Sequence, residues 1–188
     1  MVQDGQAMEI GRGAEAVITL EGGVVKKWRI PKSYRLPELD EQIRQERTMR
    51  EARITSEARR CGVPTPIIKD VLKFDLKMEH VDGQKLKDVI TPDLSETVGE
   101  MVGKLHQAGI IHGDLTTSNM ILRDGRIYLI DFGLAFHELS VEAQGVDVHG
   151  LDHRPPAPNP CTFGVQAGTA LAQRGNVGRR SPNIHDPQ

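Results

Sequence analysis

The stretch Ile110 to Ala135, I-I-H-G-D-L-T-T-S-N-M-I-L-R-D-G-R-I-Y-L-I-D-F-G-L-A, leaves few ways to fold. Met120 to Leu122 and Ile127 to Ile130 are short apolar runs joined by Arg123-Asp124-Gly125. Asp-Gly between apolar runs is the strongest short-range signal for a tight hairpin. Asn119 then ends a loop entering the first strand, and Asp131 leaves the second, so two antiparallel strands bring both side chains to one rim. Asp114 stands five residues before Asn119 on the same loop, and Asp131 follows Asn119 by twelve.

A carboxylate and a carboxamide on one rim offer the hard oxygen ligands that hold Mg²⁺ beside phosphates. Asp114 is placed to accept a proton or orient a hydroxyl. A lone His-x-Asp or Asp-Phe-Gly is commonplace. The His-x-Asp-x-x-x-x-Asn spacing, a hairpin and then Asp-Phe-Gly in register are together the catalytic-loop and metal-loop pattern of protein kinases, with His112-Gly113-Asp114 where most have His-Arg-Asp. His112 is read as a packed, hydrogen-bonded residue rather than a proton carrier.

The 188 residues allow one good core. A net charge of −2 gives no global attraction to nucleic acid, so any basic surface is local. Cys61 and Cys161 make neither a disulfide framework nor a metal pair, as in a reducing compartment. No stretch approaches a membrane span and the N-terminus, with Asp4 and Glu9, does not read as a signal peptide. The expectation is a cytoplasmic protein without membrane contact.

Residues 8 to 29 read as a strand, a turn at Glu21-Gly22-Gly23 and a strand. Gly11, Gly13, Ala14, Glu15 and Ala16 precede the first run. Glycines let backbone N–H groups close over phosphates, but Ala16 stands where a third glycine is usual, and an ordinary hairpin loop is the alternative. Strand alternation lets only one of Lys26 and Lys27 face a site, and Val25 two residues before Lys27 favours Lys27 as the phosphate ligand. Pro37 to Arg60 reads as one long helix, with Pro37 in its first turn and Gly62 past its end. Arg44, Arg47, Arg50 and Arg53 form a drifting basic stripe interleaved with Glu46, Glu51 and Glu57, the usual pattern of a solvated face. Among these, Glu51, beside Ala52 and Ile54, is the carboxylate chosen to hold the strand lysine, with Glu46 as the alternative.

After the Val63-Pro64-Thr65-Pro66 connector, Ile67 to Leu72 and Phe74 to Met78 read as two strands. Glu79 to Gly83 is then a hinge, where backbone groups of Glu79 and Val81 could read an adenine edge, or an ordinary strand-to-helix turn. Lys85 to Ile90 reads as a short helix. Thr91-Pro92 caps a longer one with Val98, Met101, Val102 and Leu105 as its core stripe, ending at Gly109.

Gly13 to Ala16, Lys27, Pro31 to Arg35, Glu51-Ala52-Arg53, Ile111 to Asn119 and Asp131-Phe132-Gly133 together resemble the small atypical kinase/ATPase subunit of the KEOPS complex, related to the RIO kinases and including the p53-related protein kinase. The likeness covers residue 8 to about residue 149. It implies a two-lobed α+β protein-kinase-like fold, with a small N-terminal β lobe (about 1–80) and an abbreviated helical C-lobe (about 81–149). It also implies ATP and Mg²⁺ as cofactors, autophosphorylation on serine or threonine, and a role in threonylcarbamoyl-adenosine modification of tRNA. By that likeness Lys27 holds phosphate, Glu51 holds Lys27, Asp114 is the catalytic base, and Asn119 and Asp131 hold metal. Implied partners are the catalytic subunit of sugar-kinase fold, a small subunit docking on the N-lobe, and tRNA through the complex.

The family continues beyond His149 into helices, whereas here residues 150–188 carry Pro155, Pro156, Pro158, Pro160, Pro182 and Pro187 and no apolar period, and are expected to be loop or disorder. Asp147 would ordinarily brace the catalytic loop from a helix that is expected to be missing. Two further functional classes compete: an ATP-binding, non-catalytic scaffold, and a tRNA-contacting module using Lys32, Arg44, Arg47 and Arg50. Retention of Lys27, Asp114, Asn119 and Asp131 together speaks against the scaffold.

Overall fold

Strand alternation organises the first half of the chain in the computed structural model, which describes residues 7–152. Strands β1 (Met8–Arg12), β2 (Ala16–Glu21), β3 (Val24–Arg29), β4 (Ile68–Val71) and β5 (Asp75–Glu79) form an antiparallel sheet in the order β1-β2-β3-β5-β4. Gly22 and Gly23, at φ 53° and 74°, make the two-residue turn between β2 and β3, a geometry that costs glycine nothing. In β3 the pleat sends Lys26 and Trp28 outward and buries Lys27 and Arg29. Sequence reading merged β1 with the loop after it and expected one strand where there are two. The strand is an exposed edge with a register shift between Glu9 and Gly11, so it displays no alternation to read. Strands β4 and β5 each start one residue later than expected.

Helix α1 (Pro37–Arg60) lies across this sheet, with Pro in its first turn, Glu38 and Asp40 at its N-terminal end and Arg59 and Arg60 at its C-terminal end. Its buried Thr48, Glu51, Ala52, Ile54, Thr55 and Ala58 share one side of the helix, a face that mixes small and polar side chains with the fully buried Ile54.

The second half holds β6 (Gln84–Lys85), α2 (Leu86–Val89), α3 (Pro92–Gln107), β7 (Ile110–Ile111), β8 (Met120–Arg123), β9 (Arg126–Leu129), β10 (Phe136–His137) and α4 (Val141–Asp152). Asp124 and Gly125 both take positive φ, and the β8–β9 hairpin closes on Arg123↔Arg126. Lys85 pairs with Ile121 as strand, which delays the short helix to Leu86. Helix α3 is capped by the Thr91 hydroxyl and buries Val98, Met101, Val102 and Leu105. One core joins both halves: Ile54 and Ala58 of α1 pack with Leu86, Leu105, Met120, Leu129 and Phe132.

Helix α4 corrects an expectation. The chain remains helical to Asp152, past the anticipated boundary at 149, and Asp147 sits on that helix. Gly145, Gly150 and a mixed pattern hide the helix from a periodicity argument. Gly150 is there for space: a Cβ at that position would lie 2.8 Å from the Leu115 carbonyl oxygen. The expectation for the proline-rich segment from 153 onward falls outside the described residues. Among those described, no helix is long and apolar enough to cross a membrane.

Candidate nucleotide-binding site

Lys27 binds two elements to the first sheet at once. Its Nζ lies 2.8 Å from Glu51 Oε1 on α1 and 2.6 Å from Asp131 Oδ1 after β9. Burial works against its positive charge, but the facing charges of Glu51 and Asp131 and their hydrogen bonds outweigh that and hold its pKa above the ordinary lysine value. Lys26 points the other way, exposed and paired with Asp75 at 3.3 Å. Glu46 lies on the outer face of α1 and accepts from Gln42, so Glu51 is the helix carboxylate that meets the strand lysine.

Asp131 has φ 63°, a left-handed backbone unusual for a residue with a Cβ. Its Oδ1 also accepts the Gly133 N–H at 3.2 Å. Desolvation opposes its ionisation, yet the Lys27 charge and these hydrogen bonds prevail and depress its pKa. Asn119 ends a single turn of 3₁₀ helix immediately before β8, as the hairpin requires. Its Nδ2 donates to both the carbonyl and the Oδ2 of Asp114, each at 2.9 Å. The carboxamide nitrogen therefore orients Asp114, and neither of these two bonds uses the amide oxygen of Asn119. Hard oxygens from Asn119 and Asp131 fit Mg²⁺, whose remaining ligands are ordinarily phosphate and water.

The loop carrying Asp114 is braced from behind. Asp147 Oδ1 accepts the Gly113 N–H at 2.8 Å, and its Oδ2 accepts the His112 N–H at 3.0 Å and meets His106 Nε2 at 3.0 Å. Burial opposes the Asp147 charge, but the bonds from His106, His112 and Gly113 lower its pKa overall. Gly113 takes φ 79°, and a Cβ there would lie 2.6 Å from the Leu134 carbonyl oxygen, which explains His-Gly-Asp in place of His-Arg-Asp. His112 is fully buried, edge-on to Phe132. Its Nδ1 accepts the Asp114 N–H at 3.3 Å, so Nε2 carries the proton and donates to the Ile130 carbonyl at 3.1 Å. Desolvation lowers its pKa, against weaker support for the charged form from Ile130 and nearby carboxylates.

Between the sheet and the β8–β9 hairpin lies a cleft of about 380 Å³. Ile10, Ile18 and Val25 form one wall, Ile121 and Ile130 the other, and Lys27, Asn119 and Asp131 close the polar end. Glu79 and Val81 line the opposite end. Arg123 donates to Glu79 Oε1 at 3.0 Å and to the Tyr128 hydroxyl at 2.7 Å, tying the hinge to the hairpin. A slot with apolar walls, a backbone edge at one end and cations with acids at the other suits a flat base carrying phosphates.

Two groups of candidates fall elsewhere. Gly11, Gly13, Ala14, Glu15 and Ala16 do not line the cleft. Gly11 pairs with Ile18, Gly13 donates to the Ala16 carbonyl, Ala14 accepts from Lys32, and Glu15 meets Arg47 at 3.0 Å. Of these contacts, the Glu15–Arg47 pair ties the loop to α1. Asp114 opens onto a second cavity of about 420 Å³ beside α4. Sequence reading missed Arg29, which is buried and donates to Glu51 Oε2. The same period of two that selects Lys27 would have found it.

A family model described as RIO domain matches residues 32–144. The chain is 58% identical over 147 residues to a "Probable bifunctional tRNA threonylcarbamoyladenosine biosynthesis protein" of Methanosarcina acetivorans, covering 76% of this chain and 27% of that one. It is 53% identical over 142 residues to a "Probable serine/threonine-protein kinase BUD32 homolog" of Archaeoglobus fulgidus (76% and 73%), and 48% identical over 137 residues to the "KEOPS complex subunit Bud32" of Pyrococcus abyssi (68% and 62%). The chain thus spans about a quarter of the length of the bifunctional relatives. In fold it is similar to the Rio2 kinase of Chaetomium thermophilum, solved as an ADP/Mg²⁺-phosphoaspartate complex, with TM-score 0.61 and 16% identity over 83% of this chain and 59% of that one. Those neighbours have the protein-kinase-like fold that the sheets and helices of this chain reproduce.

Proposed function

The chain belongs to the RIO domain family, and on that footing we propose that it binds Mg²⁺ and ATP in the cleft and works as an atypical serine/threonine kinase or ATPase in tRNA threonylcarbamoyladenosine modification. The observation that carries this reading is Lys27 bridging Glu51 and Asp131 at the polar end of an apolar-walled slot. The base would lie between Ile18, Val25, Ile121 and Ile130, against the backbone of Glu79 to Val81. Lys27 would hold phosphate oxygens, and Asn119 and Asp131 would hold the metal, which when bound neutralises charge between the phosphates. Asp114, oriented by Asn119, would take the proton from the attacking water or hydroxyl.

The relative named as a KEOPS complex subunit supports membership of such a complex. The partners we assign to this chain there, a catalytic subunit of sugar-kinase fold and a small subunit on the N-lobe, and its cytoplasmic setting follow from the family resemblance. A direct tRNA-binding role draws less support. Arg44 is held by Asp40 at 2.7 Å and stacks on Phe74, Arg47 is held by Glu15, and Lys32 is held by Ala14.

Turnover of radiolabelled ATP, with and without the catalytic partner subunit, tests the proposal. Mg²⁺-dependent hydrolysis or autophosphorylation that rises with the partner is the expected result. Absence of Mg²⁺-dependent ATP binding would overturn it.

A further inference from the structure

Arg29 lies two residues beyond Lys27 on β3, so the pleat turns both side chains toward α1. It is 5% exposed, donates to Glu51 Oε2 and reaches the Arg47 carbonyl at 3.5 Å. Glu51 thus has a cation on each oxygen, Lys27 on Oε1 and Arg29 on Oε2. Lys27 is itself divided, because its Nζ is also on Asp131. Two cations and two anions balance in this cluster, in which Lys27, Arg29 and Glu51 are buried and Asp131 is open to solvent.

A nucleotide would shift that balance. Asp131 would hold the divalent cation and Lys27 the phosphate oxygens, so the Lys27–Asp131 contact would loosen and Lys27 would share its charge with phosphate. Glu51, only 2% exposed, would then lose part of its compensation, and an uncompensated buried carboxylate is strongly disfavoured. A guanidinium cannot give up its proton, and that of Arg29 donates to Oε2 alone, leaving Oε1 to Lys27. Arg29 supplies a counter-charge that no bound ligand draws away.

We propose that Arg29 is a positioning residue that anchors Glu51 through Oε2, so that Lys27 can pass from Asp131 to nucleotide phosphates while still held at Oε1. The inference rests on the nucleotide reading above and assigns Arg29 a part in that same site.

A double-mutant cycle tests it in the full chain, with Arg29→Met, Arg29→Lys, Glu51→Gln and Arg29→Met/Glu51→Gln, and circular dichroism to verify folding. Arg29→Met should lower kcat about 100-fold while KM for ATP moves less than about 3-fold, and Arg29→Lys, which keeps the charge, should recover to within about 10-fold of the parent. In the Glu51→Gln background, Arg29→Met should cost less than about 3-fold more, because the two residues act as one unit. Equal losses in both backgrounds, or a folded Arg29→Lys no better than Arg29→Met, would overturn the proposal. If the parent binds MgADP but does not turn ATP over, the enzymatic reading fails, and the same cycle on MgADP affinity still decides for Arg29: non-additive losses support it and additive ones overturn it. A parent that binds no MgADP overturns both.

Discussion

Asp147 reaches back 34 residues to accept the Gly113 N–H at 2.8 Å, and with its second oxygen the His112 N–H at 3.0 Å. A helix side chain therefore holds the backbone immediately before Asp114. The brace is fully shielded and charge-assisted, which makes each bond worth more than a neutral one. We expect Asp147→Asn to lower unfolding stability by about 1–3 kcal/mol, since the amide can no longer accept from both N–H groups. Turnover should fall at least about 10-fold, because the loop bearing Asp114 loses its backing. Urea melts and ATP turnover on the one variant check both; unchanged turnover would show that Asp147 is merely a fold residue.

Acid should weaken the protein in two stages. His112 is neutral in the folded state because burial lowers its pKa, so the unfolded chain takes up that proton first. Its contribution is fully present above the unfolded value of about 6.5 and erodes as pH falls below it. Asp131 and Asp147 also have lowered pKa values, and their contributions are present above the unfolded carboxylate value of about 3.9 and lost as pH falls through the folded values. Lys27 has the opposite sense: its raised pKa stabilises below about 10.4, and that is lost as pH rises through the folded value. Urea midpoints measured across the pH range should slope downward from about 6.5, and His112→Gln should flatten that first segment. A wild-type midpoint that is level between about 6.5 and 5 would contradict this assignment.

Lys27 and Lys26 should separate cleanly. Lys27→Ala removes the cation shared by Glu51 and Asp131 and leaves both acids facing each other across the cleft, so turnover should drop at least about 100-fold. Lys26→Ala removes an ion pair with the half-buried Asp75 on the face of the sheet away from the cleft and should leave turnover within about 2-fold. Steady-state kinetics on the two variants decide it, and the reverse order would mean that the strand presents its other face to the nucleotide.

Asp131 and Asp114 should also diverge, in binding rather than in rate. Asp131 sits at the polar end of the cleft, whereas Asp114 opens onto the neighbouring cavity. Asp131→Ala should weaken Mg²⁺-dependent ATP binding at least about 10-fold, and Asp114→Ala should leave affinity within about 3-fold while abolishing turnover. Calorimetric titration with and without Mg²⁺ distinguishes them. Equal losses of affinity would count against giving the metal to one and the proton to the other.

What could be read from sequence was local. The β8–β9 hairpin followed from Asp124-Gly125, because few dipeptides accept positive φ at both positions. Helix α1 and the stripe of α3 followed from end signals and period, and the facing of Lys27 from alternation. Edge strand β1 and helix α4 were not legible, since neither carries a periodic apolar face of its own. Tertiary structure alone decided how charge is shared. No spacing rule states that Glu51 serves both Lys27 and Arg29, or that Glu15 is tied to Arg47 on α1; the brace from Asp147 was expected by resemblance, but the helix that carries it was not. Those are contacts between residues distant in sequence. They form because each buried charge or N–H must find a partner among whatever groups packing brings near.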